Sequence, residues 1–234
     1  EIKMKKFMSI LIVLAMVLSF AACGSEPAAE GKYTVGICQL VQHEALDAAT
    51  EGFKAALTEK LGEDVVFIEH NASGDAATCI TICNQLVSEN VDLIMGNATA
   101  ALQAAAAATS EIPVVGTSIT DYATALEIEG WTGKTGTNIT GTADLAPLDE
   151  QAAMIKELFP EAKKVGVLYC SAEPNSVYQS DVISGYLTDM GFEVEVFTFA
   201  DSNDVANVTT AACAAADVLY IPTANTAASC TETI

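Results

Sequence analysis

Arginine is absent from the 234-residue chain and lysine is sparse: ten basic residues stand against 31 Asp and Glu, for a net charge of −21. A surface this acidic repels nucleic acid and anionic headgroups, which excludes nucleic-acid partners and disfavours phosphate-rich ligands. Without a guanidinium fork, a ligand carboxylate has to be met by helix N-terminal N–H groups and Ser/Thr hydroxyls. A ligand ammonium is readily met by carboxylates and amide oxygens. An uncharged or zwitterionic solute therefore suits the chain better than a strong anion. Histidine occurs twice, as His43 and His70, and no Gly-x-Ser-x-Gly elbow, phosphate loop or zinc-protease helix accompanies the pair. No catalytic residue, cofactor or metal site is expected. Aromatic residues make up only 6%, and the abundance of alanine suits helices packed closely on sheets.

A long apolar run is also lacking. Residues 7–20 come nearest, but spanning hydrocarbon takes about 20 residues. The run follows Met4, Lys5 and Lys6 and ends in Ala21-Ala22-Cys23-Gly24. Charge, apolar core and small residues in that order form an export signal. The cysteine directly after the small pair gives it the look of a bacterial lipoprotein signal, with lipid on Cys23; a retained membrane anchor is the other reading. Residues 1–22 are thus expected to be a leader, and residues 23–31, rich in Ser, Pro and Ala, a flexible tether. Removing the leader would make the remainder more acidic still. Of the seven cysteines, the six beyond Cys23 show no dense disulfide framework. Cys79 and Cys83 lie one helical turn apart, but no further metal-ligating pair accompanies them, and core packing is the expectation.

From Tyr33 onward, β-branched runs alternate with Ala-rich helical patterns. Strands are expected at 33–38, 65–69, 91–95 and 112–116, and helices at 45–61, 76–89 and 100–109, the last with Thr99 as N-cap. Residues 117–144 interrupt the rhythm with four glycines and many threonines and read as a crossover. Alternation resumes with helices at 148–159, 176–190 and 204–215 and strands at 164–169, 193–199 and 218–221. The fold class is α/β: two Rossmann-like lobes with parallel sheets, joined by hinge crossovers over a cleft. The expected divisions are lobe one at 32–119, a crossover at 120–146, lobe two at 147–229 and the start of a return crossover at 230–234. Ligands gather beyond the carboxyl ends of such strands, where the loops here are rich in Asn, Ser, Thr and acids.

Several segments, in order, resemble one family. They are Gly36-Ile37-Cys38-Gln39 with His43, Leu46 and Asp47; Asn71 to Asp75; Asn97-Ala98-Thr99; Ile119-Thr120-Asp121; Asn138 to Gly141; Val165 to Tyr169 with Glu173-Pro174-Asn175-Ser176; and Tyr220 to Thr223 with Asn225. Together they are similar to the solute-binding lipoproteins of ABC importers of the tryptophan/tyrosine type. That resemblance implies the type I periplasmic-binding fold closing on a small solute, often an aromatic amino acid. It implies a permease and ATPase as partners, a monomer, and a place outside the cytoplasm on a lipid anchor. It places Gln39, His43, Thr99, Thr117, Glu173, Asn175, Ser176, Thr223 and Asn225 at or near the cleft. Ala224 stands where the family has Asp, and Ala100 replaces a common Pro. Members also return to complete lobe one, whereas only Thr226 to Ile234 follows here, so this form is expected to be less stable than a longer one and to bind poorly. A sensor domain of the same fold and a secreted hydrolase are the competing classes.

Overall fold

The computed structural model describes residues 33–234; the segments expected to be a leader and a tether, with Cys23, lie outside the described residues. The chain opens with β1 (Tyr33–Gln39), α1 (Glu44–Leu61), β2 (Val65–Asn71), α2 (Ala76–Ser88), β3 (Leu93–Asn97), α3 (Thr99–Ala108) and β4 (Val114–Ile119). A short α4 (Tyr122–Ala125) and β5 (Ile139–Ala143) follow. The second series is α5 (Leu148–Leu158), β6 (Lys164–Cys170), α6 (Pro174–Asp189), β7 (Glu193–Phe199), α7 (Val205–Ala215), β8 (Val218–Tyr220) and α8 (Asn225–Ser229). Two parallel sheets result, with strand orders β2-β1-β3-β4-β5 and β7-β6-β8.

The same winding in both sheets has a shared local signature. Asp92, just before β3, accepts the Thr34 N–H of β1 at 2.7 Å. Asp217, just before β8, accepts the N–H groups of Lys163 and Lys164 at 2.9 and 3.0 Å. Each aspartate closes the amino end of its sheet, and these two backbone bonds hold the Asp217 carboxyl below the usual range.

Each sheet is covered on both faces. In lobe one, Leu86, Leu102, Ala101 and Ala105 of α2 and α3 pack with Ile94 and Val114. On the opposite face, Phe53 and Leu57 of α1 cover Val35, Ile37 and Met95. In lobe two, Ile155 and Leu187 of α5 and α6 pack on Val165 and Val167. Val205 of α7 and Ala227 of α8 join Leu168 and Phe199 on the other face.

The segment expected to be a plain crossover carries more structure than its composition suggests. Ile139–Ala143 pairs in parallel with β4 and extends the first sheet. It reads poorly as a strand because only Ile139 is buried and because it contains Gly141. That glycine is required. Its φ is +151°, and a Cβ there would collide with the Gly116 carbonyl oxygen and the Tyr122 hydroxyl. The same hydroxyl donates to Gly116 O at 3.1 Å, and burial, with the charge of Asp144 second, pushes the Tyr122 phenol up to about 12.

Helix α3 also differs from expectation. Thr99 is its first residue rather than its N-cap; Ala98, at φ 86°, takes the cap position with no side chain to offer. The tight approach of the helix to β3 forces this turn: a Cβ on Gly96 would sit 3.0 Å from the Leu102 backbone nitrogen.

Candidate functional site

The carboxyl ends of the strands in the two sheets face one another across a cleft of about 410 Å³. Leu40, Val41, the 73–76 turn and Ala100 line it from lobe one; Cys170, Glu173, Ala200–Ser202 and Thr226 line it from lobe two. The mixture of small apolar groups and a few polar ones is that of a small-solute site.

On the lobe-two side, the resemblance-based residues form one hydrogen-bonded knot. The Glu173 carboxylate, 6% exposed, sits at the N-terminus of α8. Its Oε1 accepts from Thr226 N at 2.8 Å and Thr226 Oγ1 at 2.6 Å. Its Oε2 accepts from Asn225 N at 2.8 Å, Asn225 Nδ2 at 3.2 Å and Ser176 Oγ at 3.2 Å. Asn175 Nδ2 donates to Thr223 O at 3.0 Å, and Thr223 Oγ1 donates to Gln179 Oε1 at 2.9 Å. Glu173, Asn175, Ser176, Thr223 and Asn225 are therefore together, and most of their polar capacity is spent on one another. Gln179 and Thr226 complete the knot, and the sequence reading had not included them. Gln179 was findable, because it lies one helical turn after Asn175 on α6.

The lobe-one residues are more scattered. Gln39 and Asn97 stand in register at the ends of β1 and β3, beneath α1 rather than in the cleft. Gln39 Nε2 donates to Asp47 Oδ1 at 2.6 Å, and Thr50 Oγ1 donates to Gln39 Oε1 at 2.6 Å. Asn97 Nδ2 donates to Leu46 O at 2.8 Å and Thr50 Oγ1 at 3.0 Å. This network fixes α1 to the strand ends. Thr117, in the second half of β4, pairs in register with Asn97, and its carbonyl accepts the Ala98 N–H. His43, just before α1, reaches across to lobe two, with Nε2 3.4 Å from Asn225 Oδ1.

This self-sufficiency is incomplete at Asn97 Oδ1 and at Thr99. Thr99 is 3% exposed, it opens α3, and its Oγ1 is buried with no partner. The next residue, Ala100, lines the cleft. A helix N-terminus carries free N–H groups and the positive end of the helix dipole. Among the described residues no group of His, Cys, Asp or Glu has the arrangement of a metal site, and no helix is long and apolar enough to cross a membrane.

A family profile described as "ABC transporter substrate binding protein" matches residues 34–234. This chain belongs to that family. Family members are binding proteins rather than enzymes, they serve ABC transporters, and they work outside the cytoplasm. The two parallel-sheet lobes are the type I periplasmic-binding architecture. A curated relative, "Tyrosine-binding protein" of Clostridioides difficile, is 35% identical over 239 residues, covering 96% of this chain and 69% of that one. Among solved structures, an ABC domain from Streptococcus pneumoniae in complex with L-Trp superposes with a TM-score of 0.81 at 34% identity, covering 86% of this chain and 68% of that one. A ligand-free, open substrate-binding protein with adhesive properties from Clostridium difficile gives 0.58 at 35% identity, covering 86% and 69%. At nearly the same identity, the chain superposes better on the tryptophan complex than on the open protein.

Proposed function

We propose that this substrate-binding protein captures an aromatic amino acid between its lobes and presents it to an ABC permease, held at the membrane by lipid on Cys23. The observation that carries the ligand class is the unpartnered Thr99 hydroxyl at the N-terminus of α3. In a chain with no arginine, it and the free N–H groups of α3 are where an amino-acid carboxylate is received. The apolar side chains of Leu40, Val41 and Ala100 then offer contact to a ring. The relatives that bind tyrosine and tryptophan support the aromatic class. Trapping is by hinge closure with no covalent chemistry. The His43–Asn225 contact is one of the links made when the lobes meet.

Isothermal titration with tryptophan, tyrosine, phenylalanine, leucine and 4-hydroxybenzoate tests the reading. Binding of at least one aromatic amino acid, with the carboxylate-free amine of the same ring failing to bind, is the expected result. Silence from all three aromatic amino acids overturns it. Incorporation of labelled fatty acid into the wild-type chain but not into C23A tests the anchor.

A further inference from the structure

His43 occupies the cap position before α1, where Ser, Thr, Asp or Asn would add about 1 kcal/mol by bonding the first turn. Its side chain makes no such bond. Half-buried, it crosses instead to lobe two, 182 residues along the chain, where Nε2 stands 3.4 Å from Asn225 Oδ1. The Asn225 amide is held from its other side. Its Nδ2 donates to Glu173 Oε2 at 3.2 Å, and its backbone N–H donates to the same oxygen at 2.8 Å. The amide oxygen is therefore the atom presented to His43. That oxygen only accepts, so the imidazole donates, and Nε2 carries the hydrogen. His43 borders a space of about 630 Å³ that Gln42 and Glu44 line from lobe one and Ser229 and Glu232 from lobe two. It does not line the cleft between Leu40 and Glu173.

We propose that His43 is the latch of the solute trap: its Nε2–H closes on Asn225 Oδ1 as the lobes come together and slows solute release without touching the solute. The proposal rests on the reading that the lobes close on a solute. The present separation is about 0.5 Å beyond the usual N–H···O length, so closure strengthens the bond and opening breaks it. Strand order supplies the leverage. His43 follows β1, whereas the chain crosses to lobe two after β5, three strand positions away in the order β1-β3-β4-β5. At about 4.8 Å per strand the pair stands about 14 Å from that crossover, and each degree of rotation there moves it by about 0.25 Å. About two degrees of closure brings the bond to its usual length. Glu173, on lobe two, aims the acceptor, and His43, on lobe one, supplies the donor. Because His43 makes no cap bond within its own lobe, its loss leaves each lobe intact.

The first test needs no solute. Small-angle scattering compares the wild-type chain with H43A, H43Q and N225A in one buffer. H43A and N225A are expected to show a larger radius of gyration than the wild type. H43Q keeps a donor nitrogen at a similar reach and is expected to match the wild type. In an N225A background, H43A is expected to add no further expansion. Superimposable curves for H43A and the wild type overturn the proposal.

The second test follows release of tryptophan, tyrosine and phenylalanine by stopped flow. H43A is expected to release each bound solute about fivefold faster, by the same factor for all and with association rates unchanged. Factors that differ from one solute to the next would make His43 a solute contact and overturn the latch. If none of the three binds, the aromatic reading fails by itself, and scattering still decides the latch.

Discussion

Replacing Glu173 by Gln keeps the shape of the side chain and removes its charge, so the perturbation falls on the knot at the N-terminus of α8 alone. The amide nitrogen has two places to go. At the Oε2 position it would face Asn225 N and Asn225 Nδ2, N–H donors that cannot turn into acceptors. At the Oε1 position it faces Thr226 N and the Thr226 hydroxyl, and the hydroxyl can reverse to accept. The second arrangement is the cheaper one, and it leaves the Thr226 N–H unsatisfied in a half-buried place. An orphaned buried donor costs about 1–3 kcal/mol, and turning charge-assisted bonds at Oε2 into neutral ones adds about 1 kcal/mol more. The sum is about 3 kcal/mol. In a chain of this length each kcal/mol lowers Tm by roughly 2–4 °C, so E173Q is expected to melt roughly 6–12 °C below the wild type without ligand. Thermal and urea unfolding followed by circular dichroism measure this. A melt within about 1 °C of wild type would refute the fastening role of the carboxylate. If affinity for an amino acid fell at the same time, Glu173 would instead be a ligand contact.

Three further outcomes follow from particular groups. T99V removes an unpartnered buried hydroxyl, so stability is expected to hold while amino-acid affinity falls about tenfold, or about 1.4 kcal/mol; calorimetry showing unchanged affinity would contradict the carboxylate site. G141A forces a side chain into the Gly116 carbonyl and the Tyr122 hydroxyl at a φ that L residues rarely adopt, for a cost of about 3 kcal/mol or more; denaturant midpoints check it. Burial raises the phenols of Tyr122 and Tyr220 from 10.0 to about 12. Between these values the unfolded chain releases protons that the folded chain keeps. Stability is therefore unchanged below pH 10 and falls as pH rises through that window. Urea midpoints across the range should fall, and Y122F should lessen the slope.

The alternation of strands and helices was legible in the sequence because each element carries its own period. Ile37, Met95 and Val114 sit in β-branched or apolar runs, and Leu46 and Phe53 repeat along α1. The strand at Ile139–Ala143 was not legible. Its outward residues are threonines, and its glycine is fixed by the neighbouring Gly116 and Tyr122, which no local pattern reports. The cap of α3 was misplaced by one residue for a similar reason, since Gly96 brings the helix so close that Ala98 takes a left-handed turn. The lobe-two cluster was legible as a set of motifs, but its role was not. The resemblance places Glu173 at or near the cleft, and in the fold its carboxylate is engaged by Asn225, Thr226 and Ser176.

The sequence by itself determined the class of the protein. Its periodicity, acidity and lack of arginine and paired histidines specify two α/β lobes suited to a small solute, because those are properties of composition and local spacing. Only the tertiary structure decided which polar groups remain free. Hydrogen bonds between residues such as Glu173 and Thr226, or Gln39 and Thr50, form across elements distant in the chain. What they leave unsatisfied, the Thr99 hydroxyl above all, emerges only when the strand ends are brought together.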